Sequence, residues 1–283
     1  MKKKQRQNWL ALIIVSVVVS VSFLYDTVCV AYAESDRLKE EAFSSRATLS
    51  QCNTTYKHLL IIYPSTDVAY IKDGVTKRFR GSMSSSLRTT VTNAFKNLPN
   101  LINDGSAGAV SSTYKIIINY RTIKRISKLW GSYYWLSPQD IQSDLLLYAP
   151  KGKYDSVHVV WYSGPINVYW GLGGVFINNG TTTLSSIVAG NAWWWAEDGV
   201  LGEIFLHEWL HAVSWFYEYL GYPMPENDAD GAGGHGYVWY PDEGWMDYYR
   251  DLMQGQVWEP NLSAYTGITQ EAWCEGTPSH YQY

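Results

Sequence analysis

Two histidines one helical turn apart, with a glutamate directly after the first, are the residues of this chain best suited to chemistry: His207, Glu208 and His211. On a helix both imidazoles project from one side, and their ring nitrogens can reach a common ion, which zinc binds at about 2.0 to 2.1 Å from each. Glu208 lies about 100° round from His207. It is too far round to join the ion comfortably, but it is placed to hydrogen-bond a water there, take its proton and later hand it to a leaving amine.

The element that must present these groups is a long amphipathic helix, predicted from about Asp198 to Leu220 and stopped by Gly221 with Pro223 beyond. Phe205, Leu206, Trp209, Ala212, Val213, Phe216 and Leu220 form its broad apolar side. Glu203, His207, His211, Ser214 and Glu218 line the other.

The segment His207-Glu208-Trp209-Leu210-His211 resembles the HExxH signature of the zincin superfamily of zinc metallopeptidases. The resemblance implies zinc as cofactor, His207 and His211 as metal ligands, Glu208 as general base, and a peptide or protein substrate. It also implies an edge strand, here Gly171 to Asn178, that holds the substrate backbone in extended form by β-augmentation. The chain departs from the metzincin branch, because Ser214 and Tyr217 stand where that branch has Gly and a third His. Glu218 lies roughly 10 Å along the helix axis beyond His211, so a third ligand must come from after Gly221. His235 is assigned there, the one histidine between His211 and His280. Asp228 and Asp230 are its competitors, and Glu226, Asp242 and Glu243 follow behind.

Upstream, the pattern alternates. His58 to Tyr63 reads as a strand closed by Pro64, Ser84 to Leu98 as a helix, and Tyr114 to Ile123 as a second strand. Ser137 caps a helix with Pro138 in its first turn and a body from Asp140 to Leu147. Ser156 to Tyr162 is a third strand. Val168 to Asn178 is a fourth, in which Gly171, Gly173 and Gly174 permit a bulge or the close approach of another backbone. The fold class expected is therefore α+β and zincin-like: a mixed twisted sheet with helices, a long active-site helix and a smaller C-terminal part.

Lys2, Lys3, Lys4 and Arg6 precede an apolar run from Trp9 to Tyr25 that ends at Ala31-Tyr32-Ala33. Residues 1–33 are read as a signal peptide, which implies a secreted, extracellular enzyme, and a membrane association only if the segment stays uncleaved. Residues 34–57 form a polar lead-in or short pro-segment, and 58–283 the metallopeptidase domain. Removing four basic residues and Asp26 from 22 basic and 26 acidic leaves 18 against 25, a net charge of −7. Such a surface disfavours nucleic acid as a partner. Cys29 falls in the removed segment, so Cys52 and Cys274 are expected to pair in an oxidising compartment.

Several residues are weighed for secondary roles. Asn227 to Gly231 is an acidic loop for which Ca²⁺ is an alternative to a plain or metal-proximal turn. Tyr237, Tyr240, Tyr248 and Tyr249 are candidate donors to an oxyanion. His158 reads as a core residue, and His58 and His280 receive no role. Fourteen Trp and 23 Tyr, with Trp193-Trp194-Trp195 in one run, suggest an aromatic-lined groove or a core rich in large rings. They also support the alternative function, a non-catalytic binding protein for glycan or cell-wall material with a structural metal or none. Glu208 separates the two, because a structural zinc site has no use for a carboxylate beside its first ligand.

Overall fold

The computed structural model describes residues 53–169, 171–189 and 200–280. Residues 1–33, expected to be a signal peptide, Cys52 and the Trp193 to Trp195 run lie outside them. The described residues all fall in one compact unit, Cys52–Tyr283.

Strand β1 (Thr54–Tyr63) starts four residues earlier than expected, so the end of the lead-in belongs to the sheet. A hairpin follows, β2 (Ser65–Lys72) and β3 (Val75–Ser82), closed by Asp73 and Gly74, both at positive φ. It was not anticipated, although Asp-Gly between short β-prone runs is the usual signal of a two-residue hairpin turn. Buried Asp67 ties the hairpin to the body by accepting from Arg78, Arg80 and Lys124.

Helix α1 (Ser85–Gly105) is capped by Ser84, whose hydroxyl accepts from Leu87 N at 3.1 Å. It runs through Pro99 rather than ending at Leu98. Pro99 removes one backbone bond, but Leu98, Leu101 and Ile102 continue the buried face and outweigh that loss. Next come β4 (Val110–Ile118), a short pair β5 (Ser127–Lys128) and β6 (Tyr134–Trp135), a 3₁₀ turn at Pro138–Ile141, and α2 (Gln142–Tyr148). Ser137 and Asp140 form a reciprocal capping box at that turn. Strand β7 (Ser156–Trp161), strand β8 (Gly171–Ile177) and the unanticipated β9 (Thr182–Val188) complete the main sheet. Beyond them lie α3 (Glu203–Tyr219), a 3₁₀ turn at Asp228–Asp230, α4 (Met246–Met253), the β10 (Val257–Glu259) and β11 (Ala264–Thr266) hairpin, and α5 (Gln270–Cys274).

The sheet is mixed, in the order β4-β1-β7-β9-β8, with four parallel strands and β8 antiparallel at one edge. Its central strands are buried on both faces. Leu60, Ile62, Val160 and Ile187 pack with α1, α3 and α4, while Leu59, Ile61, Val157, Val159 and Leu184 pack on the opposite side with the first hairpin and α2. Two histidines break this apolar pattern. His58 and His158 are fully buried on the α3 side, where His58 meets Trp209 edge-on at 5.8 Å and His158 meets Phe205 at 5.6 Å.

At the C-terminal end Trp273 stacks on Trp209 at 6.1 Å, and Thr54 donates to the Trp273 carbonyl at 2.5 Å. Cys274 is disulfide-bonded. Among the described residues no helix is long and apolar enough to cross a membrane.

Candidate metal centre

Helix α3 is laid down by its apolar side, with Phe205, Leu206, Trp209, Ala212 and Val213 all buried. Burying that side leaves His207 and His211 on the partly open one. Their Nε2 atoms lie 3.3 Å apart. Asp230 approaches from the 3₁₀ turn, with a carboxylate oxygen 3.4 Å from His207 Nε2 and the other 3.7 Å from His211 Nε2. These three residues form a group whose ligand atoms lie within 4.8 Å of one another. Two ligands of a tetrahedral zinc, each about 2.05 Å from the ion, lie roughly 3.3 Å apart. The observed separations therefore suit a tetrahedral ion without rearrangement of the helix.

Each imidazole is also held from behind. His207 Nδ1 is 2.8 Å from the Tyr249 hydroxyl, and His211 Nδ1 contacts the Asp228 carboxylate. With Nδ1–H donating outward, each Nε2 keeps its lone pair for the centre of the group, the arrangement that orients metal-ligating histidines in general. Burial, with the neighbouring His211, lowers the pKa of His207 to about 3. For His211 burial works in the same direction, but the hydrogen bond and charge of Asp228, with Glu208 and Asp230, outweigh it and raise the value.

Glu208 lies against the sheet, within reach of the charges of His211 and Asp230. Its side chain is buried against β8, and burial raises its carboxyl to about pKa 7, opposed by His211 and by a hydrogen bond from the Gly173 backbone. A Cβ on Gly171 would fall 1.7 Å from a Glu208 carboxylate oxygen, and one on Gly173 would fall 2.0 Å from the Glu208 backbone carbonyl. These two glycines let the edge strand lie directly on the helix. The close backbone approach expected of this stretch occurs there, and the register slips between Leu172 and Val175 as a bulge would require.

His235, the histidine assigned as third ligand, does not join the group. Its Nδ1 lies 3.1 Å from the Trp258 carbonyl and its Nε2 3.3 Å from the Glu226 carbonyl, with Glu259 at 3.7 Å. The chain does double back over α3, but Asn227 and Asp228 at positive φ turn the Asp228–Asp230 segment inward first and leave His235 behind it, stacked on Tyr248. His235 thus braces the loop whose aspartates meet the histidines.

Ser214, expected on the open face, is fully buried. The tyrosine candidates are largely engaged elsewhere. Tyr249 bonds His207, Tyr248 donates to the Asp228 carbonyl, Tyr237 donates to Asp251 at 2.5 Å, and Tyr240 stays exposed. Sequence reasoning missed Trp215, which is half exposed, rests on Gly174 of β8 and donates to Asp228 at 3.0 Å. No family model, curated protein or solved structure matches the chain.

Proposed function

We propose that this chain is an exported zinc-dependent metallopeptidase in which His207, His211 and Asp230 hold the ion and Glu208 is the general base. The observation that carries the reading is the convergence of two Nε2 atoms and one carboxylate at zinc-ligand spacing, beside a buried glutamate that takes no part in the group. Imidazole and carboxylate together suit zinc, whereas calcium takes six to eight oxygens. Zinc in this position would supply Lewis-acid polarisation of a scissile carbonyl and of the attacking water.

The rest of the chemistry belongs to the chain. Glu208 would accept the proton of the attacking water and return it to the leaving amine. A carboxyl raised toward neutrality suits both halves of that transfer. Among the described residues β8 is the edge strand of the sheet, along which an extended peptide can lie, beside the glutamate that Gly171 and Gly173 accommodate.

The test is hydrolysis of an unstructured protein such as casein by the purified, zinc-loaded chain, with and without a chelator, beside Glu208→Gln. Chelator-sensitive cleavage that falls on the order of 10²-fold or more in a metal-replete Glu208→Gln protein is the result expected. Wild-type turnover in that variant would remove the mechanism.

A further inference from the structure

Three aromatic rings stand exposed beside the start of the edge strand. Trp130, Tyr133 and Tyr169 keep 55%, 38% and 40% of their surface accessible. Tyr169 meets Trp130 edge-on at 5.1 Å and Tyr133 at 5.8 Å, with interplanar angles of 76° and 80°. Exposed rings at a single position are unremarkable, but three in mutual contact form an apolar surface that water covers at a cost.

Backbone bonds hold this surface in place. Trp130 to Tyr133 is the turn of the β5–β6 hairpin, closed by Tyr133 N to Trp130 O at 3.2 Å and Leu129 N to Tyr133 O at 2.9 Å. The hairpin is fastened to the chain entering β8, since Tyr134 N donates to Asn167 O at 3.0 Å and Tyr169 N to Tyr134 O at 3.3 Å. Tyr169 precedes Gly171 by two residues, and two residues span at most about 7 Å. Gly171 is the glycine that lies against the Glu208 carboxylate. The platform therefore begins about two residues of extended peptide away from the proposed general base.

From this placement we infer that Trp130, Tyr133 and Tyr169 form a substrate subsite that receives an aromatic side chain of a peptide, about two residues from the bond that is cut. A neutral ring is the occupant that suits this surface, since it packs edge-on or offset against the three rings and no charge has to leave water. The inference rests on the metallopeptidase reading for its scissile bond, but the binding surface is separable from catalysis.

The experiment uses pairs of peptides, one pair for each position two or three residues from a mapped cleavage site, the members of a pair identical except for Phe or Ala at that position. Wild-type zinc-loaded protein should favour Phe at one of these positions by roughly tenfold in kcat/KM, carried mostly in KM. In Trp130→Ala and in Tyr169→Ala that Phe-to-Ala ratio should fall toward one, and in Trp130→Phe most of it should return. The same peptides are titrated into zinc-loaded Glu208→Gln protein, so that binding is read without turnover. Aromatic preference in binding, lost in a Trp130→Ala, Glu208→Gln double variant, with no cleavage by wild type would support the subsite and overturn the hydrolytic reading. Equal rates and equal binding for the Phe and Ala peptides, or a preference that survives in Trp130→Ala and Tyr169→Ala, would overturn the subsite. Loss of retention on a polysaccharide in the variants, with no aromatic preference in the peptides, would reassign the platform to a sugar and equally overturn it.

Discussion

The fully buried His58 and His158 predict that the fold weakens in mild acid, well before the salt-bridged Asp67 is protonated. Their rings lie 5.7 Å apart beneath α3, and the Nδ1 of each is buried with no hydrogen-bond partner. Burial lowers His58 from 6.5 to about 4, against the opposing charge of Asp155, and lowers His158 well below the ordinary value through burial and then His58. A histidine depressed in the folded state binds its proton more readily when unfolded, so stability is complete above pH 6.5 and falls as pH drops toward 4. For His58 alone these values amount to about 2 kcal/mol lost by pH 5 and about 3 kcal/mol by pH 4. His158 adds to this in the same direction. Asp67 acts in a lower window, because its hydrogen bonds from Arg78 and Lys124 depress its pKa and their contribution survives until the pH falls below about 4. The assay is urea unfolding followed by tryptophan fluorescence at pH 7.5 and pH 5, for wild type and His58→Gln, with chelator present throughout so that proton competition at the metal ligands is common to both. The variant should show a pH dependence smaller by about 2 kcal/mol. An identical loss in both proteins would refute the reasoning.

Three further outcomes follow from the site. Gly173→Ala would put a methyl 2.0 Å from the Glu208 carbonyl, so the strand and helix must part by more than about 1 Å; kcat/KM should drop on the order of 10²-fold while bound zinc is kept, because none of His207, His211 and Asp230 lies on the displaced strand. Asp228→Asn weakens the outer partner of His211, and competition with a chromophoric chelator should show zinc affinity lowered by about 10 to 100-fold with the fold intact by circular dichroism. Glu208→Gln should retain zinc and lose nearly all hydrolysis, read from the same chelator titration and from casein cleavage.

The parts of this structure that depend on local pattern were legible in the sequence. The apolar side of α3, its stop at Gly221, the Ser137 cap and the buried strands β1 and β7 are each specified within a few residues. So was the pairing of His207 with His211, because one helical turn dictates it. Strand β9 escaped notice because its sequence, TTLSSIV, alternates weakly and is buried by neighbours on both sides instead of by its own pattern. The third member of the metal group was illegible for a related reason. The choice between His235 and Asp230 depends on Asn227 and Asp228 adopting positive φ, and on Tyr248 and Glu259 holding the loop, contacts up to 33 residues apart in sequence. Side-chain chemistry favoured the imidazole, and loop geometry placed the carboxylate.

The central claim is that His207, His211 and Asp230 together hold zinc, and the most direct test is zinc content after dialysis against a weak chelator in wild type, Asp230→Ala and His235→Ala. The account predicts about one zinc per chain in wild type, severe loss in Asp230→Ala, and retention in His235→Ala apart from the 10 to 100-fold weakening expected of a residue that braces the ligand loop. Full retention in Asp230→Ala with loss in His235→Ala, or no zinc in the wild-type protein, would contradict it.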